Sequence, residues 1–435
     1  MDSLHERAAG RSVVAMGVGT KYDDSGIPPN DLGRRLREIR AWRGLSLEAA
    51  AGLAGISYGY LGKLERGEKS LENRRTLEAI AAALRVAPSE FSPVPWQAEH
   101  PSANDAAYAG LVAIENVLDI YELGEDPDLP VREWPAISAD IQRLIELSQS
   151  TADYAAQAEL MPQLLGELHA VYVRSPAHRH ETLIGMVWCY AAAMWTSKRL
   201  GGRGLPLLAA KEAQYCAEAL ESPAWQGFTA WLRGDATGGL SRPEQYRRAV
   251  RVADELRPHL NDDDVVQAYG MLHLSAALAA AVQGDRDTSE THLGEADDVA
   301  RRLDTEVGSF GHMFFGRVNV GIWHATIGNE FGDGAKVVEQ AHRVNVAAVP
   351  SASRQAEFHM EIGRALLTDR RRRDEGIATL IRAEHLAPQR VHADVFVREA
   401  VADQLRAARR DAGGRELRGL AWRIGIAPDS GEPRR

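Results

Sequence analysis

The chain has 435 residues, 45% of them hydrophobic and 26% charged, with a formal net charge of -10 and a mean hydropathy of -0.30. That balance belongs to a water-soluble chain long enough for two or three domains, and no uninterrupted apolar run is long enough to span a bilayer. Cys189 and Cys216 cannot supply a disulfide framework or a metal-ligand spacing, and residues 1–20 lack the apolar core of a signal peptide. Cytoplasmic localisation, with no membrane partner, is the expectation.

Residues 1–29 read as a disordered arm ending in Pro28-Pro29, with Met16 as an alternative start to Met1. Five short helical patterns follow within a domain at 30–91. A proline-dense linker at 92–103 stops helices. From 104 to 425 only helical periodicity is found, and 426–435 reads as a disordered tail. Charge is unevenly placed along this plan. Residues 30–96 carry eleven basic and eight acidic side chains, or +3, which leaves -13 for the rest. A basic small domain on an acidic body can approach phosphate at one end only.

The segment from Leu45 to Gly67 is the most informative. Ser46 is placed to cap one short helix and Ser57 a second. Ala51 is small where two helices cross, and Gly55 suits a left-handed turn between them. Leu61 and Leu64 face inward at i and i+3, leaving Tyr58, Gly59, Gly62 and Lys63 outward. Gly67 closes the second helix. Two short helices meeting at a glycine turn make a helix-turn-helix, with the second helix sized for the major groove. Leu32, Leu36 and Ile39 form one flanking apolar face. Leu77, Ile80, Ala81 and Leu84, after Asn73 as N-cap, form another. Pro88 to Phe91 reads as a short closing helix.

On these residues the segment resembles the xenobiotic-response-element, or phage-repressor-like, helix-turn-helix family. Ser46, Ala51, Gly55, Ser57, Leu61, Leu64, Glu65 and Gly67 all fall at the family's spacing, over about residues 31–91. The resemblance implies DNA contact by Ser46, Ser57, Tyr58, Gly59, Tyr60, Gly62, Lys63, Lys69, Arg74 and Arg75. Within that set, Tyr58, Gly59, Gly62 and Lys63 would read bases, while Ser57, Tyr60 and the segment from Lys69 to Arg75 would hold the backbone. It also implies an ion pair between Arg40 and Glu65. Leu47 departs from the family, which often has a phosphate-contacting glutamine there. Dimers on half-sites one helical turn apart are the usual arrangement of such domains.

The long second region repeats loosely. Helical pairs are expected at Val187–Leu200 with Leu205–Leu220, Met271–Val282 with Ser289–Leu303, Val318–Ile327 with Ala335–Val346, and Phe358–Leu367 with Ala378–Leu386. Turns at Gly284, Gly328 and about Arg370 lie roughly 40 residues apart. The pattern resembles tetratricopeptide repeats. The fold expected is all-α: a five-helix repressor-like domain followed by an α-solenoid of helical hairpins. It also resembles bacterial quorum-sensing regulators of that architecture, several of which bind a short signalling peptide in a concave groove. Tyr269, Arg317, Asn319 and Asn345 are the groove candidates, because an asparagine amide can hold a peptide backbone through two hydrogen bonds. Trp188, Trp195, Trp225, Trp231 and Trp323 either line an apolar pocket or pack the core.

No chemistry assembles from spacing. Gly17 to Lys21 lacks the glycines of a phosphate loop, and His178 and His180 fall on different helix faces. Asp262 to Asp264, and Asp297-Asp298, read as solvated helix starts favoured by the dipole. Neither catalysis nor a cofactor or metal is expected. Three functions remain: a DNA-binding regulator whose repeat domain dimerises and takes a peptide or small-molecule effector, a DNA-bound adaptor that recruits a protein, and an antitoxin-like regulator whose repeats are only a scaffold.

Overall fold

A computed structural model describes residues 31–91, 101–150, 153–408 and 414–426. The expected arm at 1–29, most of the linker and nearly all of the tail lie outside these residues. Among the described residues all regular structure is helical.

The N-terminal unit holds α1 (Asp31–Trp42), α2 (Leu47–Leu53), α3 (Tyr58–Glu65) and α4 (Arg74–Leu84), closed by a 3-10 turn at Pro88–Phe91. The fifth helical pattern is thus this single turn. Ser46 accepts from the Ala49 amide at 3.0 Å, Ser57 from Tyr60 at 3.1 Å and Asn73 from Thr76 at 2.9 Å. Each cap satisfies an otherwise orphaned helix donor. Gly55 sits at φ +64 between α2 and α3, where any side chain would be strained. Leu36, Leu61, Leu64, Leu84 and Phe91 make a closed core, which also receives Phe396 from far along the chain.

A long helix α5 (Pro101–Ile120) begins within the stretch read as linker. Helical hairpins follow: α6 (Trp134–Gln149) with α7 (Tyr154–Arg174), α8 (Arg179–Arg199) with α9 (Leu205–Ala219), and α10 (Pro223–Thr237) with α11 (Arg242–Leu256). Next come α12 (Asp263–Gln283) with α13 (Arg286–Ala300), α14 (Arg317–Glu330) with α15 (Gly334–Ala341), and α16 (Ala352–Leu367) with α17 (Arg373–Leu386). A short α18 (Pro388–His392), then α19 (Val395–Ala408) and α20 (Arg415–Arg423), complete the chain. The hairpins bury small residues on both helices, such as Ala191 and Ala209 in one pair and Ala277 and Ala296 in another. Stacked pairs whose apolar faces form three successive clusters, the largest running from α5 to α14, make an α-solenoid of tetratricopeptide-like hairpins. α12 is long and apolar enough to cross a membrane, yet it lies buried in the middle of this stack.

Three details differ from the sequence reading. The α10–α11 hairpin went unread, although Gly238 and Gly239 stand at its turn. Gly328 lies inside α14, where an added Cβ would stand 2.5 Å from Val337, and the turn falls instead at Gly332, φ +75. Between α13 and α14 the chain also makes an excursion over residues 301–316. Phe315 enters the core against Gly270 of α12, where any Cβ would overlap the ring. That glycine therefore costs helix propensity but admits an aromatic side chain.

The solenoid curls far enough for its beginning to meet its end. Ser351 donates to the Gln149 carbonyl at 2.9 Å, and the Tyr154 amide donates to the Gln389 side chain at 3.0 Å.

Candidate DNA interface and central cavity

Capping by Ser57 starts α3, and burial of Leu61 and Leu64 fixes its rotation. This leaves Ser57, Tyr58, Gly59 and Lys63 exposed, with Tyr58 59% accessible. No atom lies within 4 Å of a Cβ built on Gly59, so the space beyond it is open to a ligand. Ser46 is exposed at the start of α2, and Arg66 and Lys69 are exposed just after α3. Arg66 pairs with Glu68, whereas Lys69 stands 5.9 Å over the Tyr60 ring. Burial first, and then Glu72 and Glu399, push the Tyr60 hydroxyl up to about 12, so it remains a neutral donor. Arg40 donates to both oxygens of Glu65 at 2.5 and 2.7 Å and to the Leu45 carbonyl at 2.8 Å, tying α1 to the end of α3.

Gly62 is a correction. It is buried, and its built Cβ would stand 3.3 Å from Leu47. An apolar Leu47, where the family often carries glutamine, covers this turn of α3 and removes Gly62 from the exposed face.

Arg74 is a second correction, because it faces the solenoid. Its guanidinium pairs with Glu330, its amide donates to the same carboxylate at 2.9 Å, and Glu361 stands 3.9 Å away. Arg75 lies against Gly284 at the C-terminal end of α12, where the helix dipole favours a cation. Both arginines therefore serve domain docking in this arrangement. Further ties join the two units. Arg242 grips Glu78 with contacts of 2.5, 3.0 and 3.1 Å, and Arg203 pairs with Glu90. Glu399 accepts from the Leu71 amide at 3.1 Å, and Arg364 donates to the Glu72 carbonyl at 2.7 Å. None of these partners is close in sequence, so no local pattern announces them.

The first helices of successive hairpins, α8, α10, α12, α14 and α16, line a cavity of about 1090 Å³ at the centre of the curl. Trp195, Trp231, Met271, Leu278 and Trp323 supply apolar wall, while Lys198, Arg199, Arg354 and Arg390 supply charge. The N-terminal unit completes the enclosure with Arg34, Arg35, Glu78 and Phe91. Trp188 and Trp225 belong instead to the packed aromatic core, with Trp188 centred 5.8 Å and Trp225 5.4 Å from Phe228. The excursion at 301–316 contributes Gly311 to Phe314.

The four groove candidates do not converge. Tyr269 is buried and donates to Glu295 at 2.8 Å. Arg317 is exposed beside Glu306, and Asn345 is exposed near the α15–α16 connection. Asn319 alone lines the cavity, but its amide donates to the Met313 carbonyl at 2.7 Å and its oxygen accepts from Arg354. Helical packing turned Tyr269 into the core, and spacing alone cannot tell an inner from an outer helix of a hairpin. Cys189 and Cys216 are both buried and unbridged, with burial pushing their thiols up.

Residues 31–93 match the family model described as a helix-turn-helix domain. No curated protein matches the sequence. Among solved structures, the crystal structure of Bacillus thuringiensis PlcR in complex with the peptide PapR7 and DNA aligns over 84% of this chain and 99% of its own, at 13% identity. Its TM-score is 0.36, below the level of a shared global arrangement. With its caps, its glycine turn and its buried leucines, the N-terminal unit is a helix-turn-helix domain, the kind of domain on which DNA-binding regulators are built.

Proposed function

We propose that the protein is a cytoplasmic, sequence-specific transcription regulator that binds double-stranded DNA as a homodimer and responds to an effector, a peptide or small molecule, held in the central cavity. Tyr58, Gly59 and Lys63 read bases, and Ser46, Ser57, Tyr60 and Lys69 hold the backbone. The observation that carries the effector reading is that α1, α4 and the Pro88–Phe91 turn form part of the cavity wall. An occupant that favours one placement of these elements changes DNA affinity by the same free energy with which DNA changes its own affinity.

The test is a mobility shift on DNA around the protein's own gene across salt concentrations. Lys63→Ala is expected to weaken specific binding about tenfold or more and to relax selectivity, in line with roughly 1–3 kcal/mol for a good base contact. Thr326→Trp, on the cavity face of α14, should alter affinity at least about fivefold by filling the space, although it lies on a different domain from α3. Unchanged affinity with intact helical content would favour the scaffold reading. A monomer in sedimentation that bound a single half-site tightly would overturn the dimer.

A further inference from the structure

We propose that the occupant of the central cavity is a compact anionic amphiphile, with a carboxylate, phosphate or sulfonate group on an aromatic or apolar body. This deepens the effector reading above and rests on it. The wall carries ten basic side chains and seven carboxylates, a surplus of three positive charges. Most of these ions are already matched: Lys198 bonds Asp235 at 2.6 Å, Arg242 grips Glu78, and Arg35 stands 3.5 Å from Glu90. Two of these cations lie on either side of the tryptophans, Arg354 above the Trp323 ring and Arg199 in the helix that carries Trp195. Arg354 and Arg390 converge on the single carboxylate of Glu357. Asp394 accepts from the Phe396 and Val397 amides at 3.0 and 2.9 Å, so part of its charge is committed to starting α19. Arg199 lies beside Tyr154 in the field of Glu357, Asp235 and Asp394, which hold its charge, with no carboxylate in ion-pair contact among the described residues. In a deep cavity partly shielded from water such a cluster attracts an anion more strongly than it would on an exposed surface.

The rest of the wall sets the body of the ligand. Trp195 and Trp231 lie 6.3 Å apart, edge to face, and the Trp323 ring sits beneath Arg354 at 5.5 Å. Flat apolar groups stack on such surfaces. The volume of about 1090 Å³ lies just above the usual range of small-molecule sites, roughly 300–1,000 Å³. Closure of the curl at Ser351 and Gln389, with the N-terminal unit on another side, limits the length an extended chain could occupy.

Two dyes with nearly the same aromatic body separate the possibilities in the full-length protein. 1-Anilinonaphthalene-8-sulfonate carries the anion, and N-phenyl-1-naphthylamine lacks it. The sulfonate is expected to bind saturably, quench tryptophan emission and bind at least about tenfold more tightly than the neutral dye, a difference of about 1.4 kcal/mol. Arg199→Gln should remove most of that preference and leave the neutral dye unaffected, whereas Trp323→Ala should weaken both. Should either variant fail to fold, the comparison on the unaltered protein still decides. Neutral dye bound as tightly as the sulfonate overturns the anionic class but leaves the cavity as an effector site. Saturable binding of neither dye rejects both readings. Sulfonate binding indifferent to both substitutions places the dye elsewhere and overturns the proposal.

Discussion

At the residue scale, the decisive contacts in the helix-turn-helix unit are few. Arg40 and Glu65 are both largely buried, and removing one leaves the other charged in a site with little water. Such a break typically costs about 3–5 kcal/mol. Arg40→Leu should therefore speed hydrogen exchange of the α3 amides by more than about a hundredfold, and Arg40→Leu combined with Glu65→Leu should recover most of the protection. Exchange unchanged in the single variant would show that Arg37, whose nitrogen lies 3.8 Å from Glu65, takes over the charge. This pair was legible in sequence because its family spacing is short-range and fixed by α1 crossing α3. Gly62 was not, because its exposure depends on whether the residue at position 47 folds over it.

At the element scale, α4 does two jobs. Its apolar face completes the domain core, while its first turn is held by Glu330 of α14 and its middle by Arg242 of α11. Glu330 is fully buried, so Glu330→Ala leaves Arg74 with a longer contact to Glu361 only. Amides at the start of α4 should then exchange at least about fivefold faster, with α12 amides unaffected. Uniform exchange across both helices would instead mean that docking is carried by Phe396 and Glu399. The hairpins divided along similar lines. Four hairpins were visible as repeats, whereas α10–α11, despite Gly238 and Gly239 at its turn, and the excursion at 301–316 were hidden.

Across the whole molecule, buried neutral histidines set the response to acid. His169, His273 and His359 are each pushed down to about 4, chiefly by burial. His169 lies between the Glu122 carbonyl at 3.2 Å and the Tyr190 hydroxyl at 2.9 Å, an arrangement that suits the neutral ring. A folded pKa below the unfolded value of about 6.5 means the unfolded chain binds protons first. The stabilisation is thus full above pH 6.5 and is lost as pH falls towards 4. Glu384 extends the loss. Although burial raises it, His392 and Arg423 hold it at about 2, so its contribution fades as pH falls from about 4.5 towards 2. Thermal midpoints measured from pH 7 to 3 should drop across both windows, and His169→Gln should flatten the upper one. A flat profile between pH 6.5 and 4.5 would contradict the burial of these rings.

The amino-acid sequence by itself determined the local units: the two capped helices, the left-handed turn at Gly55, the inward leucines of α3 and the all-helical character of everything after the linker. These follow from backbone sterics, hydrogen-bond capping and a period of 3.6, which act over a few residues. The tertiary structure alone decided that Arg74 and Arg75 turn towards the solenoid and that Tyr269 is core. It also decided that tryptophans from α8, α10 and α14 share a cavity with the DNA-binding unit. Those outcomes depend on how far each hairpin rotates on the last. That angle accumulates from side-chain packing over more than two hundred residues, and no window of sequence contains it.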